Sequence, residues 1–397
     1  MQLAKRLKAI KPSPTLSLNA KAKALAAKGE DVVSFAAGEP DFDTPAHIKD
    51  AAKAALDAGF TKYTATGGIP ELKSAISQKL KNDNQLDYSP EQVLVSCGAK
   101  HSLYNLFQAL LSPGDEVVIF SPYWVSYPDM VRLADGTPVI VETSAADGYA
   151  PDPNELRKAL TPRTRAVVIN SPSNPTGAVL GRDALSKIAE AIAGHDCLIV
   201  TDDIYEKLLY TGTPFVNLAN VAPELAPRVV TVNGFSKAFS MTGWRLGYAA
   251  GPKELIAAMQ MIQDQSTSNA TSIAQKAGVA ALTGTMAPVE TMRVEFQARR
   301  DLIVKGLNDI PGIHCRPPDG AFYVFPNVEA LIGKRYKGKQ VNGSVHLSEL
   351  LLEDFKLAAV PGEPFGAEGY LRFSFATART TIEKGLSRLR DFVGQLS

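Results

Sequence analysis

Along this chain, short runs of β-branched and apolar residues alternate with stretches whose apolar positions recur at helical spacing. The runs at 93–96, 116–120, 137–141, 166–169, 197–201 and 229–232 are rich in Val, Ile and their like, the pattern of strands, and the last reads as buried. Between them the spacing predicts helices over 99–111, 124–133, 153–160 and 182–193. In the first of these, Leu103, Leu106, Phe107 and Leu110 form one apolar face. A further strand at 247–250 precedes a helix from Lys253. Strand then helix, repeated, predicts an α/β fold: a mostly parallel sheet with helices on both faces.

Upstream, the pattern predicts an extended stretch at 11–15 because of Pro12 and Pro14, then a helix over 18–28 ended by Gly29. A strand at 32–35 and a helix over 71–81 follow. Thr44 is expected to cap the helix that Pro45 opens. After about residue 282 the rhythm changes to a long charged helix over 287–307, short strands at 321–325, 357–360 and 371–375, and helices over 346–355 and 380–392. This reads as a second, smaller α+β domain. The expected division is a large domain at 46–282 and a small one made of 1–45 with 283–397. The basic turn at 333–339 reads as a solvated surface loop.

Composition narrows the function classes. The chain has 397 residues, 45% hydrophobic and 21% charged, with a formal net charge of +1. So near-neutral a balance gives no field for nucleic acid or an anionic membrane. No apolar run approaches the length of a membrane span, and residues 1–11 lack the apolar core of a signal peptide, so cytoplasm is expected. Three scattered cysteines make no disulfide framework, and five histidines never fall at metal-ligand spacing, so no metal is expected. No Gly-x-Gly-x-x-Gly follows any strand, which counts against a dinucleotide fold.

The chemistry concentrates where strands end, the place where open α/β sheets bind ligands. Lys237 follows the strand at 229–232 among Phe235, Ala238 and Phe239. Desolvation there favours the free amine, the form that attacks an aldehyde. Arg245, eight residues on, offers a planar fork suited to phosphate. Asp202 and Tyr205 follow the strand at 197–201, and a carboxylate there suits a protonated pyridine nitrogen. Asn174 stands between prolines after the strand at 166–169. Gly98, Ala99 and Lys100 open a helix whose N–H groups suit a phosphate. Trp124, after the strand at 116–120, offers an indole for stacking.

In order and spacing these clusters resemble the class I, fold type I aminotransferases, at the subgroup of bacterial aspartate and prephenate aminotransferases. The resemblance runs over essentially the whole chain. It rests on Pro12-Ser-Pro-Thr15, the stretch from Ala37 to Pro45, Lys62-Tyr63, Gly67 to Leu72, Ser121-Pro-Tyr-Trp124, Asn174-Pro-Thr-Gly177, Asp202 with Tyr205, Ser236-Lys237, Met241 to Arg245, Pro361-Gly362 and Leu371-Arg372. Ser240 departs from relatives that often carry alanine there.

The resemblance implies the pyridoxal 5'-phosphate (PLP)-dependent transferase fold type I, with PLP as cofactor. It makes Lys237 the residue that condenses with the cofactor and then moves the proton. Asp202 pairs with the pyridinium, Asn174 and Tyr205 bind the 3-oxygen, and Trp124 stacks on the ring. Gly98, Ala99, Lys100, Ser236 and Arg245 surround the phosphate. Tyr63 reaches the phosphate of a neighbouring subunit, making the active enzyme a homodimer. Arg372, with Gly38 beside it, clamps the substrate α-carboxylate. Ser13, Thr15 and Lys100 hold a distal carboxylate, and Lys11 accompanies use of prephenate. The implied reaction moves an amino group between L-aspartate and 2-oxoglutarate, with prephenate as a further acceptor. An aromatic or alanine transaminase or a PLP lyase on the same scaffold are the alternatives. A PLP-sensing regulator would need a helix-turn-helix, for which the chain leaves no room.

Overall fold

A computed structural model describes residues 3–10, 12, 14–212 and 214–397. Its centre is a seven-stranded sheet. Across the sheet the strands run Val93–Ser96, Gly247–Ala250, Val229–Gly234, Leu198–Asp202, Thr164–Asn170, Glu116–Ser121 and Thr137–Glu142. Gly247–Ala250 is antiparallel to both its neighbours, and the other pairings are parallel.

The β-branched runs sit here because alternate residues enter two different cores. Val117, Ile119, Ala166, Val168, Val200 and Val230 pack on one face. Val118, Val167, Ile169, Ile199 and Val229 pack on the other. With no polar face, such strands must be covered on both sides, and the helices Ala99–Leu110, Ser126–Leu133, Pro153–Ala159 and Arg182–Ile192 provide that cover.

The register brings the strand ends level. Asn170 lies opposite Asp202, Asp202 opposite Val232, and Gly234 opposite Gly247. The loops carrying Asn174, Tyr205 and Lys237 therefore leave the sheet at one edge. Two non-glycine residues of the lysine loop adopt left-handed backbone, Ser240 (φ 51°) and Arg245 (φ 53°). Such strain persists where surroundings over-determine it. Here Thr44 Oγ1 donates to the Ser240 carbonyl (2.7 Å) and accepts from Trp244 Nε1 (3.0 Å). Ser240 Oγ also meets Met292 Sδ at 3.3 Å.

The remaining strands are short. Val360–Pro361, Leu371–Ser374 and Tyr323–Val324 form an antiparallel three-stranded sheet, and Val33–Ser34 pairs in parallel with Leu357–Ala358. A separate core, including Phe296, Phe322, Phe373 and Phe375, lies beneath them and takes in Tyr205, Leu208 and Tyr210 from the loop after Asp202. The long helix Ala287–Asn308 bears Arg299, buried between Phe42 and Phe296 and bonded to Asp41 (2.7 Å) and Glu295 (2.9 Å).

Several expectations need correction. Thr44 does not cap a helix. That helix is Ala46–Asp57, one residue later than expected, with Pro45 at its N-cap, so the Thr44 hydroxyl serves the lysine loop instead. The first long helix is Pro14–Ala27 rather than 18–28, because proline is tolerated in a first turn. The segment from Lys253 holds two helices, Lys253–Asp264 and Ser272–Thr283. The basic turn near 333–339 forms a small hairpin, Arg335–Tyr336 against Lys339–Gln340.

Candidate active site

The level strand ends border a cavity of about 380 Å³ lined by residues from across the chain. Lys237, Asp202, Asn174, Tyr205, Arg372, Trp124, Ser236, Arg245, Ala99, Lys100, Gly38 and Thr15, all singled out from sequence, line it together. Gly98 stands just behind. Its φ of 91° suits glycine, and a Cβ there would lie 2.6 Å from Arg245 Nη2. Tyr63 does not reach the cavity of its own chain, and its side chain is 91% exposed. Lys11 and Ser13 lie outside the described residues.

Lys237 donates from Nζ to the Gly38 carbonyl. Burial, and next the charge of Arg372, pull its ammonium down to about 8. The apolar surroundings differ from those expected. Phe235 and Phe239 turn into the main core, whereas Nζ lies 5.7 Å over the Tyr205 ring and 5.6 Å over Phe322. Asp202, buried at the end of its strand, is pushed up to about 6 by desolvation, against the opposing effect of a hydrogen bond from Tyr127. Asn170 links the neighbours: its Nδ2 donates to the Asp202 carbonyl (2.9 Å) and its Oδ1 accepts from Asn174 N (2.9 Å).

Arg372 is 2% exposed. Its Nη1 donates to Asn174 Oδ1 (3.0 Å) and its Nη2 to the Ala36 carbonyl (3.0 Å), while Nε is buried without a partner. The guanidinium lies 4.5 Å over the Tyr323 ring. No carboxylate pairs with it among the described residues. An uncompensated buried cation is costly, so the site is built to receive an anion. Lys100, though exposed, has its ammonium lowered by lost hydration and by Arg245, and it sits 4.8 Å over the Trp124 ring. Thr15 Oγ1 is buried without a partner.

Sequence reading missed two side chains. The Tyr323 hydroxyl meets the Tyr205 hydroxyl at 2.9 Å, and Tyr127 donates to Asp202 Oδ2 at 2.6 Å. Neither carries a local signal. Tyr127 begins an amphipathic helix and Tyr323 lies on a two-residue strand, so both read as core.

We expect Gly98→Ala to destabilise the protein by about 1–2 kcal/mol, the usual cost of a left-handed L-residue. Urea unfolding measures this, and an unchanged midpoint would contradict the reading.

Comparisons with known proteins identify the family. The family model "Aminotransferase class I and II" matches residues 30–389. The aspartate aminotransferase of Geobacillus stearothermophilus is 49% identical, covering 99% of each chain. The aspartate/prephenate aminotransferase of Nitrosomonas europaea is 48% identical, covering 99% of this chain and all of its own. Among solved structures, the aspartate aminotransferase of Thermus thermophilus with maleate superposes with a TM-score of 0.93 at 46% identity, covering 99% of this chain and 100% of that one. A buried amine, a buried carboxylate and an unpaired guanidinium thus meet at one sheet edge of a scaffold matched along nearly its whole length, and the chain belongs to the class I and II aminotransferases.

Proposed function

We propose that this protein is a PLP-dependent aminotransferase acting between L-aspartate and 2-oxoglutarate, with prephenate as a second amino acceptor. The observation that carries the reading is the meeting of Lys237, Asp202 and Arg372 in one cavity, the first with a lowered ammonium and the last without a counter-ion.

The residues present fit the cofactor. Gly98 leaves open a cradle that a Cβ would fill, and the helix start at Ala99, with Ser236 and Arg245, forms a donor set suited to phosphate. Asp202 would face the pyridine nitrogen, Trp124 the ring, and Asn174 and Tyr205 the 3-oxygen. Lys237 would hold the aldehyde carbon. When bound, PLP supplies an electron sink for the Cα–H bond of the amino acid. Lys237 Nζ would take the proton from the amino acid's Cα and deliver it to the cofactor's former aldehyde carbon, a role suited to an amine tuned near 8.

The substrate class follows from the cations. Arg372, with Gly38, would take the α-carboxylate as a fork. Lys100 and Thr15 would take the distal carboxylate, as would Ser13, with Lys11 admitting prephenate. Supporting this, relatives are named for aspartate or aspartate and prephenate, and the Thermus structure is with maleate, a dicarboxylate. The exposed Tyr63 suits a contact with the phosphate of a second copy, making the working unit a homodimer. Residues 46–282 form the cofactor domain in this reading, and 1–45 with 283–397 the smaller one. No helix among the described residues is long and apolar enough to cross a membrane, and we place the enzyme in the cytoplasm.

The test is the half-reaction. Purified enzyme is mixed with aspartate, glutamate, tyrosine or alanine, and loss of the cofactor's absorbance band is followed. Fast conversion with the two acidic donors is expected, and equal or faster conversion with alanine would sink the dicarboxylate assignment.

A pH dependence also follows. Below about 8 Lys237 is mostly an ammonium and cannot attack an aldehyde. Capture of PLP by the apoprotein should therefore quicken as pH rises and level off above about 8. Stopped-flow absorbance measures this, and a flat rate from about pH 6 to about pH 9 would contradict it.

A further inference from the structure

We propose that Tyr127 is a positioning residue: its hydroxyl holds Asp202 in place and charged, while its ring braces Trp124. The proposal rests on the reading of Asp202 and Trp124 as the residues that hold the cofactor ring.

The geometry is specific. Tyr127 is 2% exposed at the start of the helix Ser126–Leu133. Its hydroxyl donates to Asp202 Oδ2 at 2.6 Å, while Asp202 Oδ1 accepts only a longer bond from Ile204 N, 3.3 Å. The same ring stands edge-on to Trp124, with centroids 5.2 Å apart and planes at 86°. One side chain therefore ties together two groups that arrive from different strands.

The charges around Asp202 make this bond matter. Desolvation pushes Asp202 towards its neutral form, the hydrogen bond from Tyr127 is the largest effect opposing it, and Lys237, from the loop after the next strand, adds a smaller one. Tyr205 and Asp203 lie close enough to bear on the Tyr127 hydroxyl along with Asp202. A phenol so buried and so surrounded by acidic groups keeps its proton, and so remains a donor. A hydrogen bond to a charged acceptor is among the stronger ones and favours the charged form.

Tyr127→Phe removes only the hydroxyl. We expect the affinity of the apoprotein for PLP to fall on the order of ten-fold, the size of one hydrogen bond to a charged group. The acidic limb of kcat against pH should move up by about one unit, with KM for aspartate changed less than about two-fold. The phenylalanine keeps the brace on Trp124, so the ring's role is read from Tyr127→Leu, which should weaken cofactor binding further. The cycle with Asp202→Asn separates this from a merely structural role, since Tyr127→Phe should then add little. Additive losses in the cycle, or an unmoved acidic limb with unchanged PLP affinity, would overturn the proposal while leaving Asp202 in its role. An Asp202→Asn enzyme with normal turnover and PLP affinity would overturn the underlying reading, and this one with it.

Discussion

Lys237→Ala is expected to lower kcat by about 10⁴-fold or more, the upper range for a positioned proton-transfer group, because in the proposed reading the same amine would also hold the cofactor. Among the described residues no second amine stands in for it: Lys100 is the other lysine lining the cavity there, and it lies over Trp124 rather than beside Gly38. The variant should still fold, since among the described residues Lys237 makes no ion pair and donates its hydrogen bond to a backbone carbonyl. It should retain PLP loosely, released by gel filtration, with the absorbance of free aldehyde. Single-turnover kinetics with aspartate measures the loss, and activity within ten-fold of the parent would refute the role given to this amine.

Arg372→Lys should be the next most damaging change, lowering kcat/KM for aspartate about 100-fold or more. The charge survives, but the fork does not. The guanidinium makes two bonds at once, to Asn174 Oδ1 and the Ala36 carbonyl, and keeps Nε spare. Its Cζ also lies 4.5 Å over the Tyr323 ring and 5.2 Å over Phe365, contacts that an ammonium meets poorly. Asn174 would lose its donor as well, so one substitution loosens both the substrate carboxylate and a residue assigned to the cofactor. Steady-state kinetics with aspartate and alanine checks this. The loss should be similar for both, because every amino acid carries the α-carboxylate. A loss confined to aspartate would move Arg372 to the distal end.

Much of this site was legible in the chain because the fold's strongest signal and its chemistry share an address. Strands buried on both faces announce themselves as β-branched runs, and the residues just past them, Asn174, Asp202 and Lys237, are the ones the level strand ends gather. What stayed hidden depends on partners remote in sequence. Thr44 looked like a helix cap because local rules offer that hydroxyl nothing better; its real partners, Ser240 and Trp244, lie about two hundred residues on. Lys237 was expected to be dried by its sequence neighbours, yet Tyr205 and Phe322 are the rings at its amine. Tyr127 and Tyr323 each sit on an apolar face where a tyrosine reads as packing. Only their hydroxyls, aimed at Asp202 and Tyr205, separate them from core.

The parallel pairing of Val33 with Leu357 has a consequence for synthesis. A chain emerging from the ribosome offers Gly38 long before Arg372. The central sheet can assemble once Ala250 has appeared, yet the groove stays half-built until Leu357 and Arg372 arrive to meet the waiting strand at Val33. Coenzyme added to nascent chains stalled before Leu357 should therefore find an amine to react with but no seat for the amino acid.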